Sequence, residues 1–236
     1  MVTRSGSEPA FILRIIFRLQ KGVASDGRRT GEGCLDNSTP RISIVDDDAA
    51  VLKSIGRLLR SAGFEVRTFP SPHQFLAQPD RDAPGCIVID LAMPGLNGLD
   101  LQQTLLQEGC CVPVIFVSGN ACIPDSVRAM KLGAVDFLTK PFEQEDLLGA
   151  VRRALARDFR MREMRDAHAA ILVRLEALTP REREVLEHLL RGKLNKQIAA
   201  DLGAAEKTIK VHRARVLRKM GARSVAELVK LTLTAH

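Results

Sequence analysis

Cys86–Ile89 (CIVI) and Val114–Val117 (VIFV) are wholly apolar runs of four residues, the pattern of strands buried on both faces of a sheet. Three further short runs, Arg41–Val45, Glu65–Phe69 and Val135–Leu138, complete a set of five. Helical patterns alternate with them: Val51, Ile55, Leu58 and Ala62 keep helical spacing up to Gly63, and Leu99–Leu106, Ser126–Leu132 and the stretch from Glu143 onward read as helices. Five strands alternating with helices predict an α/β doubly wound parallel sheet, whose ligand site lies at the carboxyl ends of its strands.

At 236 residues, 45% hydrophobic and 27% charged, the chain has room for one or two soluble globular domains. Its longest apolar cluster, Phe11–Leu19, is broken by Arg14 and Arg18 and falls short of the ~20 residues of a membrane span. No small-residue cleavage site follows it, so the expected location is cytoplasmic, with no membrane partner. Five cysteines make a disulfide framework unexpected, and adjacent Cys110 and Cys111 lack zinc-site spacing; they are read as reduced, mostly structural thiols. The five histidines, His73, His168, His188, His212 and His236, include no pair at metal-ligand spacing. Charge is uneven. Residues 40–150 carry net −5 (9 Lys and Arg against 14 Asp and Glu), whereas 174–236 carry +7 (14 against 7). An acidic part joined to a basic one suggests two domains with different partners, the basic one a candidate for binding a phosphate backbone.

The predicted strand ends carry the chemistry. The first strand runs into Asp46, Asp47 and Asp48, the third into Asp90 and the fourth into Ser118, while Lys140 follows the fifth and precedes Pro141. Clustered carboxylates call for a cation, and an all-oxygen site with water suits Mg²⁺; a lysine and a hydroxyl on the same rim can hold phosphoryl oxygens. Taken singly, Asp46 to Asp48 read more readily as caps of the first helix and Lys140 as a surface charge.

Together these residues resemble the receiver domain of bacterial two-component response regulators, with a flavodoxin-like five-stranded fold over residues 39–155. The resemblance rests on VDDD (Val45–Asp48), IDLAMPGLNG (Ile89–Gly98), VSGN (Val117–Asn120), GAVDF (Gly133–Phe137) and TKPF (Thr139–Phe142). It implies that Asp90 is the phosphoacceptor and that Asp46, Asp47, Asp90 and the backbone carbonyl of Ala92 hold Mg²⁺. Ser118 and Lys140 would bind the phosphoryl oxygens, and Lys140–Pro141 would be cis. Ser118 and Phe137 would form the switch that alters the face of the fourth helix, fifth strand and fifth helix, although Phe137 also reads as a core aromatic. Ala92 and Asn120 would influence phosphoryl lifetime. Cys122 lies near this site and reads as a buried, inert thiol.

In the basic third, Thr179–Glu182 (TPRE) spells a capping box with Pro180 at the first helical position, and the helix it opens should stop at Gly192. A short helix over 196–202 follows, then a turn at Gly203, then a helix from Glu206 to Met220. Helix, tight turn and helix in a basic setting is a DNA-binding arrangement. On the wheel of the last of these helices Ile209, Val216, Met220 and roughly His212 share one face; Lys207, Val211, Ala214 and Arg218 lie opposite, flanked by Lys210 and Arg215. The second face could enter a major groove, its cations reaching phosphates or guanine edges and Val211 a thymine methyl. A solvated basic face is the alternative.

Residues 178–236 resemble the LuxR-type DNA-binding domain of the NarL/FixJ family, an all-α four-helix unit, through LTPREREVL (Leu178–Leu186), NKQIAADL (Asn195–Leu202), KTIKVHRARVLRKM (Lys207–Met220) and a closing helix from Ser224. Ala205 departs from a frequent serine N-cap and Ala214 from a base-contacting lysine. Between the domains, Met161, Met164, His168, Ile171, Leu175 and Leu178 repeat at spacings of three and four. This predicts a long helical linker over 156–177 that either pairs with its copy in a dimer or packs on its own domains. Residues 1–38 match neither family and read as a mobile extension with one amphipathic helix at Phe11–Leu19, or as a misassigned translation start.

The combined resemblance implies a transcription factor, not an enzyme, whose only chemistry is on itself. Its expected partners are a sensor histidine kinase, double-stranded promoter DNA and a second copy on phosphorylation, with RNA polymerase a further candidate.

Overall fold

The computed structural model describes residues 39–119 and 123–233; the expectations for residues 1–38, Asn120 and Cys122 lie outside them. The elements are β1 (Arg41–Val45), α1 (Ala49–Ser61), β2 (Glu65–Phe69), α2 (Pro72–Leu76), β3 (Gly85–Asp90), α3 (Gly98–Gln107), β4 (Val114–Ser118), α4 (Ile123–Lys131) and β5 (Asp136–Thr139). Helices α5 (Gln144–Glu176), α6 (Pro180–Leu190), α7 (Asn195–Asp201), α8 (Glu206–Met220) and α9 (Val225–Leu233) complete the described chain. The polypeptide divides into two compact units, with the boundary between Arg162 and Glu163 inside α5.

In the first unit all strand pairs are parallel and the order is β2-β1-β3-β4-β5. The side-chain period of two divides β3 between two cores. Cys86 and Val88 pack with Leu52, Ile55 and Leu59 of α1 and Leu147, Ala150 and Val151 of α5; Ile87 and Ile89 pack with Phe75, Leu101, Leu105 and Ala129. Leu147 and Val151 are fully buried, and each contributes about 1.5–3 kcal/mol through area removed from water.

Local chemistry sets the element ends. The Asp48 carboxylate accepts from the N–H groups of Ala50 and Val51 and caps α1, and Gly63 (φ 88°) follows that helix in the left-handed conformation. Strand β3 is longer by one residue at each end than its apolar run, and β5 begins one residue later than expected, because pairing rather than side-chain polarity ends a strand. Helix α2 is absent from the sequence expectation; its five residues are too few to display a helical period, although Ser71 caps it through the Gln74 N–H. Burial pushes the Cys86 and Cys110 thiols up to about 12, with Asp158 and Asp82 respectively adding to the rise, so both stay protonated at neutral pH.

The second unit is helical. Its core combines Ile171 and Leu175 of α5 with Leu178, Val185, Leu186, Leu189, Ile198, Ile209, Val216, Met220 and Leu228. Of the residues in the predicted heptad, Ile171, Leu175 and Leu178 are therefore spent on this unit's own core, while Met164 is 60% exposed. The stretch 156–177, expected as a linker, is continuous with the rest of α5 and shared between the units: Asp158 bonds to Gly85 in the first, and Arg174 to Met220 in the second. No helix among the described residues is long and apolar enough to cross a membrane.

Candidate functional site

The strand order brings the carboxyl ends of β1, β3, β4 and β5 side by side. Asp46 follows β1, Asp90 ends β3, Ser118 ends β4 and Lys140 follows β5. Asp46, Asp90 and Ser118 are buried, which is unusual for polar groups away from a partner or a task. Lys140 supplies the partner: its Nζ donates to Asp46 Oδ2 at 2.7 Å and to Asp90 Oδ1 at 2.6 Å. The remaining carboxylate oxygens are held by backbone, with Asp48 N–H donating to Asp46 Oδ1 (2.9 Å) and Ala92 N–H to Asp90 Oδ2 (2.7 Å). Both side chains are thereby fixed in orientation.

The electrostatics follow from burial. Desolvation pushes the Asp46 carboxyl above the ordinary range, only partly opposed by hydrogen bonds from Lys140 and the Asp48 N–H. For Lys140, burial acts downward, but the bonds to Asp46 and Asp90 and their charges outweigh it, so its ammonium is held above the usual lysine value. One cation thus stands between two carboxylates. The Lys140–Pro141 bond is cis, as the resemblance implied.

The three acidic residues after β1 separate by role. Asp46 is buried in the cluster, Asp48 caps α1, and Asp47 is exposed beside them. Ala92, two residues beyond Asp90, is exposed on the same loop. No group of three His, Cys, Asp or Glu side chains among the described residues is arranged to hold a metal ion. The donor set nonetheless fits a hard dication, since Asp46, Asp47 and Asp90 with Lys140 leave net charge −2 and offer only oxygens. Phe137 of β5 is half-buried and packs against Phe116 of β4, ring centroids 6.2 Å apart. Gly98 carries a constraint that the motif alone did not reveal: a Cβ there would lie 2.4 Å from the Asp90 carbonyl oxygen. Its signal in the sequence is the Asn97–Gly98 pair at the start of α3, where Asn97 caps the helix through the Asp100 N–H.

In the second unit, both halves of the capping box of α6 form: Thr179 Oγ1 accepts from Glu182 N–H, and Thr179 N–H donates to Glu182 Oε2 at 2.9 Å. Helix α7 starts at Asn195, one residue before the expected position, and its turn into α8 holds Gly203 at φ 60°. On α8, Ile209, Val216 and Met220 are buried, whereas Lys207, Lys210, Val211, Ala214, Arg215 and Arg218 are all exposed. Val211 is 45% exposed amid these cations. His212 is half-buried, on the inner side as expected. Ala205 occupies the N-cap of α8 and offers it no side-chain hydrogen bond. Arg213 Nη1 donates to Asn195 Oδ1 (3.1 Å), joining α8 to α7 away from the exposed face.

Comparison with known proteins agrees with both units. Residues 42–152 match the response regulator receiver domain, and residues 176–232 match the luxR family of bacterial regulatory proteins. The response regulator protein TodT of Pseudomonas putida is 43% identical over 204 residues, covering 86% of this chain and 90% of TodT. The transcriptional regulatory protein FixJ of Azorhizobium caulinodans is 43% identical over 197 residues, 82% of this chain and 92% of FixJ. Among solved structures, the response regulator StyR is similar with a TM-score of 0.76 and 42% identity, covering 82% of this chain and 98% of StyR. The chain therefore belongs to the NarL/FixJ family of response regulators, a transcription factor built from a receiver domain and a LuxR-type DNA-binding domain.

Proposed function

We propose that the protein is switched by phosphorylation of Asp90, supplied by a sensor histidine kinase, and that the phosphorylated chain dimerises and binds specific promoter DNA. The observation that carries this reading is the pair of bonds from Lys140 Nζ to Asp46 and Asp90, with Ser118 buried at the next strand end. Asp90 would attack the phosphorus of a phosphohistidine; the new P–O bond forms as the P–N bond breaks, and the imidazole leaves with a proton. Lys140 would shift from Asp90 to the arriving phosphoryl oxygens, and Ser118 would donate to another of them, so charge that builds in transfer meets fixed donors. Asp46, Asp47, Asp90 and the Ala92 carbonyl would hold Mg²⁺, which supplies the charge neutralisation that two anions need to react. The only chemistry is on the protein itself, and the protein is not an enzyme acting on other molecules.

Phe137 is the candidate relay, since movement of Ser118 at the end of β4 opens space on the strand that Phe137 already packs against. On the face next to it, Ile123 (81% exposed), Val127 and Met130 form an apolar stripe along α4 at spacings of four and three. This stripe is the surface we assign to the second copy. Two copies would present two α8 helices, with Lys207, Lys210, Val211, Ala214, Arg215 and Arg218 toward adjacent major grooves about one helical turn apart. RNA polymerase is a further partner of such a promoter-bound dimer, and the cytoplasm is where these partners meet.

The test is intact mass and sedimentation of the wild type and Asp90→Asn, with and without Mg²⁺ and a small acyl-phosphate donor. Gain of one phosphoryl group and a dimer by the wild type alone supports the reading. If neither protein is modified under conditions that modify another receiver, the Asp90 mechanism fails, and control of DNA binding must come from a source other than phosphate.

A further inference from the structure

The last turns of α5 and α8 cap each other. Arg174 Nη1, on α5, donates to the carbonyl of Met220, the final residue of α8, at 3.0 Å. In return Lys219 Nζ, on α8, donates to the carbonyl of Ala177, one residue beyond the end of α5, at 3.0 Å, and to Glu182 Oε2 at 2.6 Å. The last carbonyls of a helix lack intrahelical donors, and a cation there also faces the negative end of the helix dipole. Each helix provides that cation for the other. Beneath the pair, Ile171 and Leu175 share one core with Val216 and Met220. Gly221, left-handed at φ 69°, completes the seat: a Cβ added there would lie 3.1 Å from Arg174 Nη1.

None of these groups lies on the exposed face of α8. Met220 is buried with Ile209 and Val216 on the opposite side, and Arg174 is half-buried against it. We propose that Arg174 is a positioning residue for DNA recognition: it fixes the carboxyl end of α8 against the end of α5 and so sets the orientation in which Lys210, Val211 and Arg215 meet base edges. Hydrogen bonds to base edges depend on that orientation, whereas attraction to the phosphate backbone tolerates its loss. The α5 terminus is then part of the DNA-reading apparatus rather than a tether to it. The inference rests on the reading of α8 as the recognition helix.

The experiment uses the full chain, treated with Mg²⁺ and a small acyl-phosphate donor, as wild type, Arg174→Gln, Arg174→Lys and Gly221→Ala, with Lys210→Ala as the control for direct DNA contact. Affinity is measured at one salt concentration for a duplex that the wild type enriches from a randomised pool, and for a random duplex of equal length. Arg174→Gln should weaken binding to the enriched duplex by about tenfold, the effect of one charged hydrogen bond, and to the random duplex by less than about threefold. Arg174→Lys, which keeps a cation at the cap, should restore most of the difference, and Gly221→Ala should lower the same ratio. Amide exchange in the last turn of α8 should accelerate in Arg174→Gln. Equal losses on both duplexes would make Arg174 a mere phosphate-attracting charge and overturn the proposal, as would wild-type affinity and exchange in Arg174→Gln. If Arg174→Gln fails to fold, the enriched-to-random ratio of Gly221→Ala decides: a lowered ratio supports the proposal and an unchanged one overturns it. Failure of the wild type to enrich any duplex, with Lys210→Ala no weaker than wild type on random DNA, removes the recognition reading itself.

Discussion

The backbone N–H of Gly85 donates to Asp158 Oδ2 at 2.9 Å, so the first residue of the central strand β3 is tied to helix α5 across 73 positions of sequence. The same carboxylate accepts from Arg162 Nε at 2.8 Å, and Arg162 Nη2 donates to the Asp82 carbonyl at 2.7 Å. Asp158 thus fastens α5 to the amino end of a strand whose other end is Asp90.

Asp158→Ala should destabilise the receiver unit by about 3 kcal/mol, since it leaves a buried N–H without an acceptor and a guanidinium without its counter-ion. Asp158→Asn, which keeps one carbonyl oxygen for Gly85, should cost less. Urea unfolding of the full chain, followed by a probe in the receiver, checks both values; a loss below about 0.5 kcal/mol for the alanine variant contradicts the role given to this contact.

Asp46 points to a trade between stability and function. Its carboxyl is raised by burial, so the folded chain holds the Asp46 proton more tightly than the unfolded chain does. The ionised side chain therefore costs stability above the ordinary carboxylate range, and that cost fades as pH falls through the raised value. Asp46→Asn should accordingly stabilise the receiver by about 1 kcal/mol at pH 7, with the gain shrinking in acid, while phosphoryl uptake is lost. Thermal denaturation across pH, together with intact mass after acyl-phosphate treatment, reads both halves. A destabilised Asp46→Asn at pH 7 would mean that the bond to Lys140 outweighs the burial of the charge.

Glu182 behaves in the opposite sense. Burial acts upward on its carboxyl, but the hydrogen bonds from Lys219 and the Thr179 N–H prevail and hold it below the usual range. Its stabilisation is present above the ordinary glutamate value and is lost as pH falls through the lowered one. The DNA-binding unit should lose stability over that acid window in the wild type, and Glu182→Gln should remove this part of the pH dependence at a cost of about 2 kcal/mol at neutral pH. Calorimetry at several pH values measures it; equal acid slopes in both proteins would refute the assignment.

Gly98→Ala places a methyl group 2.4 Å from the Asp90 carbonyl oxygen and 3.0 Å from Ile89 Cγ2, and backbone must shift to admit it. The expected result is a loss of about 1–3 kcal/mol and slower phosphorylation of Asp90 by acyl phosphate, because the loop that orients the carboxylate moves. Wild-type rates with wild-type stability would show that α3 yields without disturbing Asp90.

Much of this protein is legible in its residues alone. Strands β1 and β2, the capping box at Thr179 and the full extent of α8 follow from period, turn chemistry and capping, which are local properties of the chain. The convergence of Asp46, Asp90, Ser118 and Lys140 was also legible, since parallel strands bring their carboxyl ends to one edge whatever their packing. Tertiary structure alone decided the rest. It separated Asp46 as a buried charge from Asp48 as a helix cap, a distinction among three identical neighbours that depends on what surrounds each one. It assigned Ile171, Leu175 and Leu178 to a core rather than to a paired seam, because a spacing of three and four marks an apolar face without saying what covers it. It also joined Gly85 to Asp158, and Arg174 to Met220, contacts between residues 73 and 46 positions apart that no local pattern encodes.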